Sequence, residues 1–328
     1  MAAGKIIVER IASLAGRVTF ESGADAVPQG VQRRVLEILH HAGLPAYVEL
    51  GERGVIARLL VPAIARVVQL TPLPDGDLEI LLERSAAKHW LRRAAPDFAA
   101  LSAALTALQA SGAQALVSEN DAHEVVDVRP FGHRPIAPRP ERRALAARAG
   151  APTKTVSMDQ ARALFDMVAM TTCDPLDAEA PCIPFLYPDD GCPARAHEMC
   201  RRFVEKGVEP EKIWTWGYVT VPTPNHPDCE TFWIYHVAPT LDVDGTLHVI
   251  DPSLCTAPVI VDDWLAKMRG GSKVALYYTP WTEYMRGGPD DPDFESTDIE
   301  LARCRALLML RSAERGPPPY AKCEGVAV

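Results

Sequence analysis

The sequence has no run approaching the roughly 18 consecutive apolar residues that a membrane-spanning helix requires, so no membrane association is expected. It has no excess of positive charge either. The 43 Asp and Glu against 34 Lys and Arg give a formal net charge of -9, and no basic stripe offsets it, which argues against a nucleic-acid partner. No Cys-x-x-Cys occurs, and the nearest mixed pair, His226 and Cys229, has no second half to complete a zinc site. No structural metal is therefore expected. The opening residues, Met1 to Arg10, lack the unbroken apolar core of a secretion signal, so the expected compartment is the cytoplasm, with secretion by another route left open. There the eight cysteines would stay reduced.

What is present is an ordinary globular composition, 48% hydrophobic and 23% charged over 328 residues, long enough for two domains. Residues 1–128 read as a smaller α/β domain. Val31, Val35, Ile38 and Leu39 fall on one helical face that ends at Gly43, and strands are expected near 5–8, 46–50, 55–60, 66–70 and 78–82. Asp97 is expected to cap a helix through Leu108, followed by a hairpin around Glu119-Asn120-Asp121. No nucleophile, phosphate loop or metal cluster stands out in this half. Residues 129–145 carry four prolines in the stretch from Arg129 to Pro140 and read as a stiff linker. Residues 146–328 then form the second domain. Ser157 with Gln160 makes a capping box, and Ala161, Leu164, Phe165 and Val168 form the buried stripe of the helix behind it. Asp262 and the pair Thr297 and Glu300 are read as the caps of two later helices.

The second domain is organised around Tyr187-Pro188-Asp189-Asp190-Gly191-Cys192-Pro193-Ala194-Arg195-Ala196-His197. An Asp-Asp-Gly turn leads into a helical pattern, which puts Cys192 in a first turn where unpaired N–H groups and the helix dipole favour a thiolate. Pro193 suits the same place, since its missing N–H would be unpaired anyway. Two short apolar strands follow, Trp233 to Val237 with His236 inside it, and His248 to Ile250 ending at Asp251. Cysteine, histidine and aspartate in this order supply a nucleophile, a proton carrier and a group to orient the imidazole. The backbone N–H of Cys192 is a natural donor to the oxyanion. The blander reading of each is open. Cysteine is often core, a strand histidine is often an interior group, and Asp251 before Pro252 would start a turn, with Asp242 and Asp244 as competitors for its role. Asp251 is preferred because it ends an apolar strand, where rigid backbone aims a carboxylate. His197 on the same helix would face either the site or solvent.

At these three segments the sequence resembles the protein-glutamine deamidases, or protein glutaminases. Tyr187-Pro188-Asp189-Asp190-Gly191-Cys192 with Ala194-Arg195-Ala196-His197 is similar to that family's nucleophile segment, Tyr235-His236-Val237-Ala238-Pro239 to its histidine strand, and Ile250-Asp251-Pro252-Ser253-Leu254 to its acid segment. The likeness spans about residues 185–268. It implies an α+β fold with a papain- or transglutaminase-like core, a nucleophile helix on an antiparallel sheet, and no metal or organic cofactor. It also implies Cys192 as nucleophile, His236 as acid/base and Asp251 as its orienter. The reaction implied is hydrolysis of a glutamine side chain to glutamate and ammonia through a thioester, on a protein or peptide. Pro193 departs from the larger residue expected after the nucleophile, and the first domain would either recruit substrate or occlude the cleft.

Three alternatives stand beside this. One sends the thioester to an amine, as a transglutaminase does; sequence does not separate the two, because the difference is water access to the cleft. Another is a tailoring enzyme in a small-molecule or peptide pathway. The last is a non-catalytic binding or effector protein using Trp214, Trp216 and Trp233 as a partner surface, although tryptophans of that size usually belong to the core.

Overall fold

A computed structural model describes residues 5–132, 154–270, 274–288, 290–323 and 325. These divide into two compact units, the first made mainly of residues up to 132 and the second mainly of those from 154. Of the expected linker, residues 133–145 lie outside the described residues. Residues 129 and 130 belong instead to the strand Val125–Pro130.

The first unit contains two five-stranded antiparallel sheets. One joins Ile6–Ser13, Val18–Phe20, Asp25–Ala26, Pro45–Leu50 and Ile56–Leu60. The helix Val31–Ala42 buries Val35, Leu36, Leu39 and Ala42. It stops at Gly43, whose left-handed φ of 67° lets its N–H reach His40 O, a conformation glycine adopts at no steric cost. The other sheet joins Ala63–Pro72, Leu78–Leu82, His89–Leu91, Gln114–Glu119 and Val125–Pro130. The helix Phe98–Ser111 adds Leu105 and Leu108 to its core of Val67, Ile80, Leu82, Leu91 and Val117. Asp97 makes no side-chain cap there, contrary to expectation. The strands at 18–20, 25–26 and 89–91 were not foreseen, because two or three residues are too few to show a period. Nor was the meeting of His89, Glu119 and His123, which puts a cluster of metal-ligand type in a half where none stood out.

The second unit is built on a seven-stranded sheet whose centre is the antiparallel pair Glu211–Pro222 and Glu230–Val243. Thr246–Val249 continues it beyond the second of these, and Ala275–Pro280 pairs with the first. A two-residue strand, Thr155–Val156, joins in parallel at Asp242 and Val243. The helix Met158–Ala169 opens with the expected capping box of Ser157 and Gln160 and buries the expected stripe. Cys192–Glu205 buries Ala196, Met199, Cys200 and Phe203, each large apolar member contributing about 1.5–3 kcal/mol through burial.

Two caps differ from expectation. The helix Val261–Ala266 starts without a side-chain cap, so Asp262 lies inside it. The helix Glu295–Arg315 is capped by Asp291, which accepts from the N–H of Ser296 and Thr297 at 3.0 and 2.8 Å and from Thr297 Oγ1 at 2.7 Å. Thr297 is thus capped rather than capping, and Glu300 turns to Arg303 at 2.7 Å.

The cysteines depart from expectation as well. Cys173 is bonded to Cys182, and Cys229 to Cys323, with Cα separations of 4.9 and 5.2 Å. Thr172 and Ile183 form a bridge directly outside the first pair, and the turn that brings Cys229 N–H to His226 O presents Cys229 to the C-terminal segment. Neither approach is visible in the spacing of eight cysteines. Among the described residues no helix is long and apolar enough to cross a membrane.

Candidate active site

The chain enters the site through a buried turn. Pro188 O accepts from the Trp233 indole at 2.8 Å, and Asp189 Oδ1 accepts from Thr231 Oγ1 at 2.8 Å. Asp190, 1% exposed, takes the Gly191 N–H at 2.9 Å and the Arg303 guanidinium at 2.5 Å. Gly191 holds φ at 79°, and a Cβ there would run into Cys304 Sγ. Both facts require glycine before the cysteine. Arg195, one turn into the helix and 2% exposed, donates through Nη1 to Tyr187 O at 3.1 Å and Asp190 O at 2.6 Å. A buried cation thereby holds two carbonyls of the turn.

Cys192 begins the helix and is 2% exposed. Burial pushes its thiol well above the ordinary range. Arg195 and a backbone hydrogen bond with Val237 work the other way, and Asp190 and Asp251 add to the rise. Burial thus opposes the ionised sulfur expected from the helix start. Desolvation of a fully enclosed thiolate outweighs one set of helix N–H groups and one guanidinium.

His236 lies in the central strand opposite Thr215. Thr215 Oγ1 accepts the His236 N–H at 3.1 Å and donates to His236 O at 3.4 Å, fixing the backbone from both sides. The ring is 1% exposed and stacks on Trp233 with centroids 4.1 Å apart and planes 18° off parallel. Its Nε2 is 2.8 Å from Asp251 Oδ2, and its buried Nδ1 has no hydrogen-bond partner among the described residues.

Asp251 follows Val249 and Ile250 off the strand end and is 2% exposed. Oδ2 also accepts the Trp264 indole N–H at 2.9 Å, and Oδ1 the Ser253 N–H at 3.1 Å. Burial would raise its pKa, but His236, Trp264 and Arg195 together outweigh that, and the carboxyl sits below its ordinary value. An ionised carboxylate only accepts, so Nε2 carries a ring hydrogen, and Nδ1 is the nitrogen turned away from the carboxylate.

The structure thus joins His236 to Asp251 directly and sets Cys192 against Val237, the next residue along the strand. Asp242 lies further along that strand, paired with Leu247, and its carboxylate accepts the Gly245 N–H at 2.8 Å and Thr155 Oγ1 at 3.2 Å. Asp244 stands in the turn after it. His197 faces neither the site nor solvent; it is fully buried, 2.7 Å from Lys212 Nζ and packed on Phe294 at 4.8 Å. Burial, then Lys212, lowers its pKa to about 4. Trp214 and Trp233 are buried and unavailable as a partner surface, whereas Trp216 is 37% exposed. Sequence reading missed Trp264, Thr215 and Arg195. No local signal ties Trp264 to an aspartate 13 residues earlier.

A family model described as Glutaminase matches residues 161–268. Among solved structures, pro-protein-glutaminase is 20% identical, covering 69% of this chain and 84% of its own, with a TM-score of 0.48. A mutant of pro-protein-glutaminase is 18% identical, covering 82% of this chain and 100% of its own, with a TM-score of 0.53. Protein-glutaminase is 30% identical, covering 42% of this chain and 77% of its own, with a TM-score of 0.37. No curated protein matches. The architecture is thus a mixed α/β one with antiparallel sheets, of the kind found in pro-protein-glutaminase, and the matching model is that of an amidohydrolase. The chain belongs to the protein-glutamine deamidase family.

Proposed function

We propose that this chain deamidates glutamine side chains of a protein or peptide, with residues 146–328 as the catalytic domain and Cys192, His236 and Asp251 as its triad. The observation that carries the reading is the His236 ring: Nε2 is committed to a carboxylate, and Nδ1 is bare, in a strand whose next residue touches Cys192. In the reaction Nδ1 takes the thiol proton as Sγ attacks the carboxamide carbon. Forming the ion pair only at that moment suits a thiol that burial keeps protonated. The Cys192 N–H, at the helix start, is a donor for the oxyanion. The imidazolium then gives its proton to departing ammonia, leaving a thioester. Water, deprotonated by the same Nδ1, opens the thioester to glutamate and restores the thiol. Asp251 stays ionised throughout and stabilises the imidazolium.

The test is ammonia release from a glutamine peptide, with Cys192→Ala as the comparison. Release should vanish in the variant at unchanged thermal stability, and undiminished release would sink the assignment. Adding a labelled amine separates the readings, since mass spectrometry of the peptide distinguishes hydrolysis from transglutaminase-like acyl transfer.

A second reading concerns the first unit. The mutant pro-protein-glutaminase alignment spans 82% of this chain, more than the second unit supplies, so it reaches into the first. This supports reading residues 1–128 as a region of pro type that restrains the enzyme. The two disulfides support an oxidising compartment over the cytoplasm. Limited proteolysis releasing the first unit should raise the turnover of the remainder several-fold, and no change would remove the restraint reading.

A further inference from the structure

His89, Glu119 and His123 in the first unit take no part in the reaction described above. His89 is fully buried in its three-residue strand and directs Nδ1 at Glu119 Oε2, 2.6 Å away. Glu119 ends the strand Gln114–Glu119 and turns its other oxygen, Oε1, to His123 Nδ1 at 2.8 Å. The turn between them is tied by Asn120, whose side-chain oxygen accepts the N–H of Ala122 and Glu124 at 3.0 Å each. The two rings meet edge to face, 86° apart, with centroids separated by 5.4 Å. One ligand atom from each residue therefore lies within 4.8 Å of the others.

Three properties make this a ligand set as well as a hydrogen-bonded trio. The donors are two imidazole nitrogens and one carboxylate, the combination that holds zinc where one coordination position stays open. Both rings present the same atom, Nδ1, to the centre. The far nitrogen of His89, Nε2, is 2.8 Å from Ser85 Oγ, which is the outer contact that orients a metal-bound imidazole with its hydrogen on the outward nitrogen.

We propose that His89 Nδ1, His123 Nδ1 and Glu119 form a binding site for a divalent transition-metal ion of the zinc class, with the fourth position on the side of His123. His123 is the most open of the three, its side chain 15% exposed against 1% and 5% for His89 and Glu119. Zinc–ligand bonds of about 2.0–2.2 Å in a tetrahedron set ligand atoms roughly 3.3 Å apart. On loading, the carboxylate would withdraw by roughly 0.5–0.7 Å from each ring, and the ring nitrogens, which with it now lie within 4.8 Å of one another, would settle to the same spacing. The site would tie two strand ends and the turn bearing His123 together, so loading should stabilise the first unit.

The experiment uses the full chain carrying Cys192→Ala, stripped with a chelator and dialysed against Zn2+, with bound metal measured by elemental analysis. The expected result is roughly one zinc per chain with no comparable uptake of Mg2+ or Ca2+, which prefer all-oxygen sites. His89→Ala and His123→Ala should abolish uptake, and Ser85→Ala should weaken it by about 10–100-fold. Should the alanine variants fail to fold, Co2+ loaded into the otherwise unaltered chain gives a second reading, because a tetrahedral nitrogen and oxygen site produces intense visible absorption. A chain that takes up no zinc, or whose zinc and cobalt signals persist in the folded double variant His89→Ala/His123→Ala, overturns the proposal and leaves a purely hydrogen-bonded trio.

Discussion

Trp264 donates its indole N–H to Asp251 Oδ2 at 2.9 Å, the same oxygen that receives His236 Nε2. A buried carboxylate is thereby kept ionised by a neutral donor as well as by the ring it orients. Trp264 is itself fully buried, so its position is set by packing.

Trp264→Phe keeps most of that packing and removes one hydrogen bond to the charged form. Asp251 should titrate at higher pH, because the lost bond favoured the carboxylate. The acid limb of the deamidation rate should move upward, and turnover should fall by about tenfold, corresponding to a hydrogen bond of about 1–1.5 kcal/mol. A pH–rate profile with an unmoved acid limb would show that Trp264 serves packing alone.

Asp251→Asn should reduce turnover by roughly 10³- to 10⁴-fold, since an amide does not hold the same tautomer or stabilise the imidazolium. It should also change stability with pH. The carboxyl is lowered from its ordinary value of 3.8 in the folded chain, so its stabilisation is complete above that value and is lost as pH falls through the lower folded one. The denaturation difference between the native chain and Asp251→Asn should be flat near neutrality and shrink in acid. A difference that grows in acid would contradict the assigned charge.

Cys192, raised by burial, should react slowly with iodoacetamide at neutral pH in the resting chain. Its rate should still be climbing at pH well above the roughly 8.5 of a free thiol. Fast alkylation of the intact chain at pH 6 would mean that an ion pair with His236 already exists at rest.

Opening the Cys229–Cys323 bond by Cys→Ser at both positions should cost about 4–5 kcal/mol, because the bond closes a 94-residue separation, against about 2–3 for Cys173–Cys182 with its separation of 9. Thermal melts of the two double variants should rank in that order. Equal losses would point to local strain or residual structure in place of chain entropy.

Sequence by itself determined much of the local architecture. The helix beginning at Cys192, the capping box of Ser157 and Gln160, the strand bearing His236 and the one that leads to Asp251 were all legible, because caps, prolines and periodic apolar residues act within a turn or two of chain. Tertiary structure alone decided which cysteines pair, that Asp291 and not Thr297 caps the last long helix, and that Trp264 reaches back to Asp251. It also decided that burial works against the Cys192 thiolate, since desolvation depends on everything that surrounds the sulfur, whereas a helix start can be read from three neighbouring residues. His89, Glu119 and His123 make the same point. Their spacing carries no message until two strands and a turn bring the atoms together, because ligand and charge partners are chosen by distance in space, which a linear pattern does not encode.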